Sequence, residues 1–197
     1  MRFHYGAVPE DKDFIPTAEA GWRDIQHDLG PVALQLIAFP VTLILIALWA
    51  VCVLPRLQGT FSSLLVKIDL GALALLLLMI PAHELLHALV HPGWGLSSST
   101  TLGVWLSRGL LYAYYEGELS RDRFLLCLAM PFLALGVLPT VLIMMFPWLA
   151  PNLLGLSLFG CVLGCGDVVG VGLVLFQIPR AAIVRNKGWK TYWRPVS

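Results

Sequence analysis

Residues 83–87 read His-Glu-Leu-Leu-His, an H-E-x-x-H motif. On a helix, side chains four positions apart share a face, so His83 and His87 can reach one metal ion. Glu84 projects beside that face, where it can act as general base toward a water that the metal activates. The chemistry implied is metal-assisted hydrolysis. The flanks are Ile80-Pro81-Ala82 and Ala88-Leu89-Val90, part of a long apolar run. Two His and one Glu are costly inside a membrane and are kept there for a reason.

The elements that position this motif follow from composition. Of the 197 residues, 58% are hydrophobic and 13% charged, well below the charged fraction of about 25% in soluble domains. The net charge of +1 gives no basic surface for nucleic acid, and no nucleic-acid partner is expected. The opening residues, Met1 to Gly6, lack the apolar core of a signal peptide, so the first span is expected to direct insertion. Cys52, Cys127, Cys161 and Cys165 all fall in apolar runs and read as small buried side chains.

Apolar runs of about 20 residues predict spanning helices. Four are expected: Val32 to Leu54, about Ile68 to Val90, about Phe124 to Trp148, and about Leu153 to Ile178. Pro40, Pro81, Pro131 and Pro139 predict kinks rather than breaks. Eleven of the 13 Lys and Arg fall in the N-terminal segment, the central loop and the C-terminal tail; Arg56 and Lys67 are the other two. That split predicts an integral membrane protein with both termini and the central loop cytoplasmic. The basic tail, with Trp189, Tyr192 and Trp193, suits anionic headgroups or a plain stop signal. Trp22 to Leu29 suggests an interfacial amphipathic stretch.

A catalytic zinc takes three protein ligands and keeps one position open. His83 and Asp167 each lie about 15 residues into spans that run in the same direction, so both sit roughly 22 Å along their helices. Asp167 is the acid of the fourth run and is the expected third ligand. Gly160/Gly164 and Gly166/Gly170 have small-xxx-small spacing, which permits close helix approach. His91 continues the four-residue spacing and is a rival ligand, although Pro92 ends the helix there. Glu116 and Glu118 lie in the polar loop and are weaker candidates.

Between the second and third runs, Thr100 to Leu106 and Leu110 to Glu116 are rich in β-formers and are separated by Ser107-Arg108-Gly109. A β-hairpin is expected, with an edge that an extended substrate could join by strand addition.

Three segments together resemble a known family: HELLHALVHP at 83–92, LYAYYEGELSRDRFLLCLAMPF at 111–132, and GCGDVVG at 164–170. They look like the small zincin-type membrane peptidases of bacteria and archaea, over about residues 68–180. More distantly the chain is similar to the site-2 protease class, in which an H-E-x-x-H helix works with an Asp on a later helix. The resemblance implies zinc held by His83, His87 and Asp167, with Glu84 as catalytic base. The Asp context differs, since Cys165-Gly166-Asp167-Val168 stands where site-2 proteases carry N-P-D-G or L-D-G.

The expected fold class is all-α integral membrane, with four transmembrane helices and a β-hairpin between helices 2 and 3. The expected organisation is an N-terminal segment 1–31, a membrane metallopeptidase domain 32–178, and a basic tail 179–197. The expected function is zinc-dependent hydrolysis of peptide bonds in or near the bilayer, with a peptide or membrane protein as substrate. The rival class is a non-proteolytic metal-binding membrane protein: a transporter, a sensor or an inactive scaffold.

Overall fold

The computed structural model describes residues 1–25, 31–57 and 70–196. Its helices follow the apolar runs. Helix α1 spans Pro31–Val53 and α2 spans Leu70–Val90. The third run is α3, Arg121–Pro131, then a π-helical segment, Phe132–Val137, and α4, Leu138–Met145. The fourth run is broken: α5, Ala150–Leu163, and α6, Cys165–Gln177, meet at Gly164 with a 46° bend. Among the described residues three helical stretches are long and apolar enough to cross a membrane (Leu36–Arg56, Leu73–Val90 and Arg121–Met145), or four if the bent pair is one span. Pro40 and Pro81 lie inside continuous helices, and Pro131 directly precedes the π segment. The start of the second run at Ile68, and Lys67 before it, lie outside the described residues.

The expectation of an all-α fold is wrong. The protein is mixed, 60% helical and 19% strand, with seven strands in two sheets among the described residues. The strands are β1 Arg2–Tyr5, β2 Arg23–Asp24, β3 Thr100–Trp105, β4 Leu110–Tyr115, β5 Glu118–Ser120, β6 Ala182–Lys187 and β7 Lys190–Pro195. The expected hairpin is β3–β4, with Thr100 opposite Tyr115 and Trp105 opposite Leu110. Gly109 turns the chain at φ +59°, in the left-handed region that a side chain disfavours. β1 adds to β3 in parallel, giving a three-stranded sheet of order β1-β3-β4. The second sheet, β2-β7-β6-β5, is antiparallel and takes in most of the segment read as a basic tail.

The physical reason is pairing between distant segments. Along β6 the burial alternates at first, with Ala182 and Val184 inside. Three cations of β6 and β7 that read as a topology signal have acidic partners: Arg185 pairs with Asp11, Lys190 with Asp24 and Arg194 with Glu118. Asp11 also accepts backbone N–H bonds from Asp13 and Phe14. Trp22 and Ile25, from the stretch read as amphipathic, are buried beside β2. Gln26 to Leu29 of that stretch lie outside the described residues.

By internal contacts the chain divides into two units. One comprises Met1–Pro31, Glu84–Met130 and Gly170–Ser197; the other comprises Val32–His83 and Pro131–Val169. The core of the first combines Ile25, Val90, Leu119, Phe124, Val174, Val184 and Trp193. Each large apolar side chain so buried contributes about 1.5–3 kcal/mol. In this unit two arginines cap helix ends. Arg123 Nε donates to the carbonyl of Val90 at 2.9 Å, and Arg121 Nε donates to that of Ile178 at 2.8 Å. Each places a positive charge at a helix C-terminus, where the dipole favours it.

The second unit packs Trp49, Val53, Leu57, Ile143, Ala150 and Cys161. Trp49 Nε1 donates to Ser157 Oγ at 3.0 Å, and that hydroxyl donates to Leu154 O. Gly160 lies against the π segment, where an added Cβ would come within 2.2 Å of the carbonyl of Leu135. The Gly160/Gly164 spacing therefore serves contact with Leu135, Gly136 and Phe132, whereas Gly166 and Gly172 face open space.

Candidate metal centre

Helix α2 places the motif by periodicity alone. His83, Glu84 and His87 offer ligand atoms that all lie within 4.8 Å of one another. His83 is buried, and Glu84 and His87 are half-buried. Among the described residues this is the group of His, Cys, Asp and Glu side chains that could share one ion.

Asp167 is brought to His83. Its Oδ2 lies 3.0 Å from His83 Nε2, with both side chains largely buried. Asp167 stands in the first turn of α6, where the positive end of the helix dipole favours a carboxylate. Two ligands about 2.0–2.1 Å from one tetrahedral ion sit roughly 3.3 Å apart. The observed separation therefore suits neighbouring positions on one ion as well as a direct hydrogen bond.

The ring of His87 is oriented by a group that sequence reasoning missed. His87 Nδ1 lies 2.7 Å from the carbonyl oxygen of Cys127 on α3. A carbonyl only accepts, so Nδ1 carries a proton, and an uncharged ring would then have its lone pair on Nε2. Such a backbone partner is the usual outer-shell support of a metal-binding imidazole. Imidazole and carboxylate side chains are both donors that zinc accepts.

His91 goes elsewhere. It is buried at the end of α2, with its ring 5.3 Å from that of Tyr115 and Nδ1 3.4 Å from Thr100 Oγ1. Burial pushes its pKa down to about 4, helped by the nearby His87 and the Arg123 guanidinium. Glu116 pairs with Arg2, and Glu118 with Arg194, so both acids of the loop serve the sheets.

No curated protein and no solved structure shows significant similarity to the chain. A family does match: residues 76–183 fit the one described as "Putative zincin peptidase". The matched region runs from α2 through the β3–β4 hairpin and α3 to the start of β6, and includes His83, Glu84, His87 and Asp167. With more than half its length matched and the H-E-x-x-H turn formed on α2, the chain belongs to that zincin peptidase family.

Proposed function

We propose that the protein is a membrane-embedded, zinc-dependent endopeptidase that hydrolyses peptide bonds in or near the bilayer. The observation that carries this reading is the turn of His83, Glu84 and His87 on a helix apolar enough to cross a membrane. In this reading His83, His87 and Asp167 hold the zinc. When bound, zinc supplies Lewis acidity, which lowers the pKa of a water toward about 7 and polarises a carbonyl. Glu84 takes the proton of the attacking water and returns it to the leaving amine as the peptide bond breaks. The Cys127 carbonyl holds the His87 ring in one tautomer. The order β1-β3-β4 leaves β4 at a sheet edge, where an extended peptide can add as a further strand. The eleven-to-two split of Lys and Arg supports cytoplasmic termini.

The test is Glu84→Gln in liposomes, assayed on a library of quenched fluorescent peptides and single-span proteins. Cleavage should fall by about 10²–10⁴-fold, the range for loss of a general base, while zinc content stays at wild-type level. Undiminished cleavage would overturn the mechanism. Wild-type protein that holds zinc but cuts nothing would favour a metal transporter or sensor.

A further inference from the structure

Cys127 lies in α3 four positions before Pro131, and both belong to the same helix. In an α-helix the carbonyl of residue 127 accepts from the N–H of residue 131. Proline has no N–H, and its ring crowds the carbonyl four positions earlier, tilting it off the helix axis. His87 Nδ1 meets that carbonyl at 2.7 Å. We infer that Pro131 is a positioning residue: by denying the Cys127 carbonyl its helical donor, it turns that carbonyl into a fixed acceptor for His87 and so sets which imidazole nitrogen faces a metal.

The inference rests on the zinc reading for its consequence, though not for its geometry. Pro131 is fully buried and touches no reacting atom; it acts through Cys127 and His87. An alanine at 131 would bring back an N–H, which would compete with His87 for the carbonyl. The ring would then be free to adopt the other tautomer, with its proton on Nε2.

Two readouts separate this inference from the zinc reading. The first is ¹⁵N NMR of the imidazole of His87 in metal-free protein in nanodiscs. Wild type should show the Nδ1–H form, and Pro131→Ala should show a mixture with Nε2–H. The second is zinc affinity by competition with a chelator, which should drop about 10–100-fold in Pro131→Ala, the usual cost of losing an outer-shell partner. Pro131→lactic acid has the alanine side chain and an ester in place of the amide, and so lacks the N–H. It should restore both the tautomer and the affinity.

Equal loss in both variants would assign the effect to packing of the ring and overturn the inference. Wild-type affinity and tautomer in Pro131→Ala would also overturn it, as would an Nε2–H form in wild type, a result that stands even if the alanine variant fails to fold. A wild-type chain that binds no zinc but shows the predicted change of tautomer would sink the zinc reading and leave the positioning role of Pro131 intact.

Discussion

His83 Nε2 and Asp167 Oδ2 lie 3.0 Å apart, joining the first residue of the motif to the first turn of α6. The contact joins two helices within one unit. It also makes the two possible duties of Asp167 separable by experiment.

Asp167→Asn keeps the shape of the side chain and removes its charge. If the carboxylate is a ligand, zinc measured by elemental analysis should fall from about one per chain to near none, as it should in His83→Ala. A drop in affinity of only about 10–100-fold would instead make Asp167 an orienting partner of His83.

His91 gives the fold a dependence on pH. Its pKa of about 4 in the folded chain lies below the ordinary value of 6.5. Between those values the unfolded chain takes up a proton that the folded chain refuses, so stability falls as pH drops through that window, by up to about 3 kcal/mol. The thermal midpoint of detergent-solubilised protein should fall between pH 7 and 4.5 by more in wild type than in His91→Gln. Parallel profiles would show that His91 does not carry the effect.

The glycines of the last two helices should differ in their tolerance of alanine. At Gly160 the new Cβ would lie 2.2 Å from the Leu135 carbonyl, so α5 must move away from the π segment. Gly160→Ala should cost about 1–3 kcal/mol, the range for overpacking. At Gly172 nothing lies within 4 Å, and Gly172→Ala should be neutral or stabilise by up to about 1 kcal/mol through helix propensity. Thermal unfolding in detergent compares the two directly, and equal effects would refute the packing argument.

How much of this was legible in the sequence depends on how local each signal is. His83, Glu84 and His87 are legible because one turn of helix encodes their meeting. Asp167 is legible as a single acid in a long apolar run. The hairpin β3–β4 announces itself by β-formers around Ser107-Arg108-Gly109. The Cys127 carbonyl carries no side-chain signature, and its trace in the sequence is the proline four positions later. The remaining strands were missed because β1 and β2 span four and two residues, too few for a period of two to show. In β6 and β7, Arg185, Lys190 and Arg194 read as membrane topology, since nothing nearby in the chain names Asp11, Asp24 and Glu118 as their partners. The break at Gly164 has no proline in the run to mark it.

The pairing of Arg23 with Trp193 and of Asp24 with Tyr192 bears on how the protein is made. β2 leaves the ribosome well before β7, the strand it pairs with. At about 5–20 residues per second, the delay is roughly ten to thirty seconds. Through that interval Trp22 and Ile25 lack the β7 side of their core, while the apolar helices between the two strands are synthesised. The sheet thus closes only once the helices between β2 and β7 have been made, and a nascent chain cut off before β7 would leave an open strand edge for quality control to find.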